Sequence, residues 1–190
     1  MEQLKQKRIL AAAQDLFGQH GFKRVAIDEI AKKAGVSKGT VYNFAESKDE
    51  LYFKVVDQEL QAWVRECGDR IDPKKPADQL LVENGLYAFN YLDSKPMLRQ
   101  LLIDDLDYSL SMWVDRLNHI RVQCASNGAR LLKIGQEQGL FREDLAVDQV
   151  ALVVNDILIN ALVFKYKRGV NEALIWASTA MDLLLRGLKK

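Results

Sequence analysis

The sequence predicts an all-α fold of about nine helices, with an N-terminal helix-turn-helix head and a helical-bundle body. Two observations carry this. Apolar residues recur at three- and four-residue spacing along almost the whole chain, the period of an amphipathic helix, and no stretch alternates long enough for a strand. Residues that stop helices (Gly21, Gly35, Gly139, Gly169 and the DPKKP stretch at 72–76) punctuate the periodic segments.

The elements follow in order. Ile9, Ala12, Ala13, Leu16 and Phe17 form one stripe, and Gly21 can end that helix in a left-handed conformation. Ile27, Ile30, Ala31 and Ala34 form a second stripe, closed by Gly35. Ser37 is a good N-cap for a third, very short helix. A longer helix begins near Lys48 and runs towards Arg70. The prolines of DPKKP break helix on both sides. The pattern resumes from Ala77 to Leu92, after which Ser94 caps a short helix with Pro96 in its first turn. A long helical reach runs from about Tyr108 to Glu137 and stops at Gly139. Two final helices cover roughly 147–168 and 171–188, separated at Gly169.

The 190 residues are 48% hydrophobic and 28% charged, enough apolar material for a globular core. The net charge of +1 selects no partner, but its distribution is uneven. Residues 1–48 carry nine Lys/Arg against five Asp/Glu, and the remainder eighteen against twenty-one. A basic head on a mildly acidic body fits a head that meets a polyanion; charge alone fits chance equally well. Cys67 and Cys124 stand far apart, outside metal-ligand spacing and without a secretory signal. They read as inert helix thiols, a redox role staying open, and not as a disulfide. The start MEQLKQKRIL lacks the apolar stretch of a signal peptide. Asp156 and Lys165 interrupt the longest apolar runs short of the ~18 residues a membrane span needs. A cytoplasmic protein without a membrane partner is expected.

The spacing from Ile27 to Phe44 is the most informative feature. A helix-turn-helix crosses two short helices over a tight turn. It needs a small residue at the crossing (Ala31), a residue tolerating positive φ at the turn (Gly35), and a buried apolar residue after it (Val36). It also needs inward apolar residues on the second helix, and Val41 and Phe44 meet that demand. An outward face of Lys38, Gly39, Thr40 and Asn43 remains, with Tyr42 beside it. Such a helix contacts bases mainly through its N-terminal residues. Gly39 lets the backbone approach closely, and Thr40 offers phosphate a hydroxyl or thymine a methyl. Asn43 suits a base edge, and the amides at Ser37 suit a phosphate. An ordinary helical corner with solvated polar residues is the other reading of these positions.

The stretch ILAAAQDLFGQHGFKRVAIDEIAKKAGVSKGTVYNFAESKDELYFKVV resembles the N-terminal domain of the TetR (tetracycline repressor) family of bacterial regulators. The resemblance covers about residues 5–56 and is carried by the IL-AA--LF helix, the G-F pair, I--IA--AGVS-GT-Y and SK--L. It implies a head of residues 1–47, with the helix-turn-helix at about 25–44, and a body of residues 48–190 for ligand binding and dimerisation. It also implies that Lys38, Thr40 and Asn43 lie in or near the major groove and that Tyr42 and Lys48 touch phosphates. Two departures stand out. Val25 and Ala26 replace the usual threonine or serine that caps the second helix, where Asp28 could partly cap instead. Ala45 replaces an aromatic, whose packing Phe44 could take over.

Beyond residue 60 the resemblance is architectural only. It implies an effector cavity between the fourth and seventh helices, where Trp63, Phe89, Tyr91, Tyr108, Met112 and Trp113 lie, with Phe164 added from the eighth. As residues alone, large side chains at helical spacing are more often plain core. The resemblance also implies dimerisation through the last two helices. Both are apolar on more than one face, and such a helix is buried on both sides. Ile157, Ala161, Phe164, Leu174, Ala177, Met181 and Leu184 are the interface candidates; a thick monomer core is the alternative. The acidic run Asp104, Asp105, Asp107 suits a cationic effector if one member points inward, and a solvated face otherwise. His20 and His119 are isolated, and no nucleophile–base pair or metal-ligand cluster is present, so no enzyme activity, cofactor or metal is expected. The resemblance as a whole implies a homodimeric repressor, released from a palindromic double-stranded operator by a small-molecule effector. A helical module using its helix-turn-helix for protein contacts is the competing class. The residues name neither effector nor operator and do not separate repression from activation.

Overall fold

The computed structural model describes residues 2–103 and 111–190, except the side chains of 102–103 and 111–117. Among the described residues there are nine α-helices. They are α1 (Glu2–His20), α2 (Ile27–Ala34), α3 (Lys38–Phe44), α4 (Lys48–Asp69), α5 (Ala77–Tyr91), α6 (Pro96–Ile103), α7 (Ser111–Glu137), α8 (Val147–Arg168) and α9 (Val170–Leu188). A 3-10 turn, Leu92–Ser94, follows α5. The one extended pairing described is a single bridge between Phe141 and Lys189. The all-α class is therefore observed, and the expected helix boundaries agree within the described residues; the expected start of the long helix near Tyr108 lies outside them. Gly21, Gly35, Gly139 and Gly169 all have positive φ, as stops of this kind require.

The chain forms two compact units: residues 1–60 with 93–101, and residues 61–92 with 102–190. The first takes in the start of α4 and most of α6 as well as the three head helices. Its core is built on the sequence-predicted stripes. Ile9, Ala13, Phe17, Ile30 and Val41 are fully buried, as are Leu51, Val55 and Val56 of α4. Phe17, Phe22 and Tyr52 pack edge-on or tilted, with ring centroids 5.0–6.1 Å apart. Each such buried side chain contributes about 1.5–3 kcal/mol, enough to fix a small head.

In the second unit α7, α8 and α9 pack in sequence and α5 lies against α7 and α8. Leu80, Leu132 and Phe141 are its fully buried centre. Gly135 is there for space, since a Cβ on it would sit 2.0 Å from the Phe141 ring. By length and composition α8 is apolar enough to cross a membrane. It packs between α7 and α9, however, and buries Asn155 and Lys165, as a core helix does.

Candidate nucleic-acid interface and ligand cavity

The corner between α2 and α3 is built from backbone hydrogen bonds. Gly35 is left-handed (φ 63, ψ 43), its N–H bonds to Lys32 O, and Val36 N–H bonds to Ala31 O at 3.0 Å. This is the Schellman closure of a helix. Arg8 of α1 donates to the carbonyls of Ala34 and Gly35, tying α1 to the corner. Ser37 caps α3, its Oγ accepting from Thr40 N–H at 3.1 Å, and its hydroxyl also pairs with Thr40 Oγ1 at 2.8 Å. Val41 is the buried anchor of α3, and its other side carries exposed Lys38, Gly39, Tyr42 and Asn43 with half-buried Thr40.

Two lysines are already engaged. Lys38 pairs with Asp28 at 3.0 Å, and that hydrogen bond raises its pKa above the ordinary lysine value. Lys48 donates to Phe22 O (3.0 Å) and Val25 O (3.2 Å), and its ammonium sits 4.5 Å from the Phe22 ring centroid. It locks the α1–α2 loop to the start of α4. An ammonium has three donors, so one remains for an outside acceptor.

The second unit holds a cavity of about 410 Å³, walled by α5, α7, α8, α9 and the end of α4. Its lining is mainly aliphatic and aromatic, with Trp63 and Phe89 among the largest side chains. The polar groups on the wall include Asn84, Asn127, Asn155, Cys67, Cys124 and Ser178. Asn84 and Asn127 are held by the Cys67 and Val64 carbonyls of α4. Burial pushes both thiols up to about 12, so each is protonated at neutral pH. The Trp63 indole N–H is buried with no hydrogen-bond partner among the described residues. Leaving such a donor unpaired costs about 1–3 kcal/mol. A separate surface groove runs along Phe164, Arg168, Ile175, Trp176, Thr179 and Leu183 of α8 and α9. Ile175 is 69% and Leu183 66% exposed.

Residues 9–55 match the model for bacterial regulatory proteins of the tetR family. A stretch of 60 residues is 43% identical to the HTH-type transcriptional regulator RutR of Escherichia coli K12, covering 32% of this chain and 28% of RutR. A stretch of 72 residues is 35% identical to the uncharacterized HTH-type transcriptional regulator YhgD of Bacillus subtilis, covering 38% of each chain. The chain therefore spans well under half the length of these relatives. The fold as a whole is similar to that of the transcriptional regulator FadR from Bacillus subtilis, solved in complex with stearoyl-CoA. That likeness has a TM-score of 0.75 at 19% identity, over 96% of this chain and 98% of FadR. The likeness to the TetR family is thus carried by residues 9–55. The relatives matched here are described as HTH-type transcriptional regulators.

The two departures from the TetR pattern have local answers. Glu29, not Asp28, closes the start of α2, its carboxylate accepting from Ala26 N–H at 2.9 Å. Asp28 is instead the partner of Lys38. Ala45 is itself buried at the end of α3, while Phe44 is half-buried with Lys54 Nζ 5.4 Å from its ring centroid.

The structure separates the residues expected in the TetR body. Trp63 and Phe89 line the cavity. Tyr91 lies behind, stacked on Trp63 at 6.2 Å with its hydroxyl on Glu66. Phe164 does not line the cavity; it meets Trp176 edge-on at 5.3 Å in the outer groove. Tyr108 and the Asp104–Asp107 run lie outside the described residues, as do the side chains of Met112 and Trp113. His119 is exposed and contacts Gln123 at 3.0 Å. Of the expected interface set, Ile157, Ala161, Leu174, Ala177 and Met181 line the cavity, Leu184 packs on the core, and Phe164 alone lies in the groove. Periodicity missed Asn84, Asn127, Asn155 and Gly85 on the wall; polar or small residues in otherwise apolar helix faces were the available signal. Among the described residues no three His, Cys, Asp or Glu side chains gather as a metal site.

Proposed function

We propose that the protein is a homodimeric, ligand-responsive transcriptional repressor that a small-molecule effector releases from a palindromic operator. The observation that carries this is the α3 face. Val41 and the Gly35 closure fix the helix from within, while Lys38, Gly39, Tyr42 and Asn43 stand exposed on the other side. An exposed amide and phenol at a helix surface suit base-edge and phosphate contacts. Thr40 reaches DNA by giving up its bond to Ser37, and Lys48 offers its remaining N–H to a phosphate.

Dimerisation is assigned to the groove face, with a second copy of the chain as occupant. Ile175 and Leu183 are exposed to an extent a stable monomer rarely tolerates in one stripe. A self-complementary pairing there gives two heads for two half-sites one helical turn, ~34–36 Å, apart. The cavity is the effector site. An effector acts only by binding the operator-bound and released states with different affinity. Helix α4 carries residues of both compact units, from Lys48 in the head to Trp63 on the cavity wall, and is the element through which occupancy reaches the head.

The test has two arms. In sedimentation, Ile175→Glu with Leu183→Glu yields monomers where the native chain is a dimer. In gel shifts with the palindrome upstream of the gene, Tyr42→Ala weakens binding and flattens its salt dependence. Unchanged affinity in the second arm overturns the DNA assignment.

A further inference from the structure

The ion pair between Asp28 and Lys38 stands on the surface assigned to DNA. Asp28 is in the first turn of α2 and Lys38 opens α3, so the pair ties the starts of the two helices together. The Lys38 ammonium is shared between both carboxylate oxygens, 3.0 Å from Oδ1 and 3.1 Å from Oδ2. Both side chains stay open to solvent, 54% for Lys38 and 66% for Asp28. An ion pair this exposed contributes little to folding. The cap of α2 does not need Asp28 either, because Glu29 supplies it by accepting from Ala26 N–H at 2.9 Å. What the pair changes is charge. The duplex comes closest to the first turn of a recognition helix, and there Asp28 cancels the one cation that α3 carries. Tyr42 lies one turn further along α3, on the same side as Lys38.

Resting on the reading of α3 as the DNA-facing helix, we propose that Asp28 limits sequence-independent binding by holding the Lys38 ammonium back from DNA phosphates. Affinity for arbitrary duplex comes almost entirely from cations that displace condensed counterions. A lysine already neutralised within the protein displaces none. Once freed, Lys38 has a flexible stem and a point charge that reach a phosphate whatever the sequence beneath it. The exposed Asn43 amide is uncharged and stands outside the pair. Asp28 therefore lowers the phosphate part of binding and leaves the base-reading part in place.

Fluorescence anisotropy of a labelled random-sequence duplex, titrated with the full-length protein across a KCl series, reads this directly. Asp28→Asn is expected to bind about tenfold tighter at about 0.1 M salt, and to steepen the salt slope by about one for each head that engages. Its Tm stays near the native value, as an exposed pair implies. Lys38→Met closes the cycle: with the ammonium gone, the same change at Asp28 gains nothing. A gain that persists in Lys38→Met means that the carboxylate acts by bulk repulsion, and overturns the proposal. A slope that Asp28→Asn leaves unchanged, or binding that it weakens, overturns it too. In each of these cases duplex binding by the native chain still stands. If neither the native chain nor Asp28→Asn binds duplex in a salt-dependent way, the DNA reading of α3 itself fails and takes the proposal with it.

Discussion

The head and the body spend their polar groups differently. In the head, polar side chains close local structure. Arg8 holds the corner carbonyls, Glu29 caps α2, Ser37 caps α3, and Lys48 pins the loop before α2. On α3, a helix of seven residues, Lys38, Gly39, Tyr42 and Asn43 stay exposed. In the body, Asn84, Asn127 and Asn155 stand on the wall of an open apolar space, and two thiols stand there protonated. The head thus uses these polar groups to fix its corners and helix ends, while the body keeps empty volume inside and an apolar groove outside. The proposed reader and the proposed sensor therefore differ in packing style within one chain.

Substitutions can break or sharpen that contrast. The largest effect is expected in the tightly packed part of the body: Gly135→Leu, facing the Phe141 ring, destabilises by about 3 kcal/mol or more. Thermal unfolding shows this as a clear drop in Tm, against no loss for Gly85→Leu on the cavity wall. Next comes the reading surface. Tyr42→Ala combined with Asn43→Ala lowers affinity for a selected duplex about a hundredfold and leaves Tm unchanged, because both side chains are exposed.

Lys48→Met is expected to cost about 1–2 kcal/mol, through two lost hydrogen bonds to loop carbonyls. It should also lower the salt slope of DNA binding by about one. A lower Tm with an unchanged slope would make Lys48 a purely structural lock. The smallest effect lies at Glu59, buried in the first unit with Gln14 donating to one oxygen at 2.6 Å. Burial raises its pKa above the ordinary carboxylate value, so folding disfavours the ionised form. Stability from this site is present below the unfolded-state pKa and lost as pH rises through the raised one. Glu59→Gln therefore raises stability at neutral pH by on the order of 1 kcal/mol and leaves it unchanged below about pH 4.

The head was largely legible in the sequence because its geometry makes demands at fixed offsets within twenty residues. Ala31, Gly35, Ser37 and Val41 each answer one local requirement, and each is found in that role. The lysine contacts were not legible, since the loop carbonyls bound by Lys48 lie more than twenty positions away. The body was legible only as helices. On α8 and α9 apolar residues occupy several faces, so periodicity could not say which faces the cavity. Leu174, Ala177 and Met181 turn inward to the wall, whereas Ile175, Thr179 and Leu183 turn to the groove. One position of helical rotation separates the two sets, and packing among five helices decides it.

The most direct test of the account is selection of binding sites from a pool of random duplex DNA, run in parallel with the native chain and the Tyr42→Ala, Asn43→Ala variant. The native protein is expected to enrich an inverted repeat with half-sites about one helical turn apart, bound by two protomers, and the variant to enrich nothing. No enrichment by the native chain, or the same repeat recovered by the variant, would contradict the assignment of the α3 face.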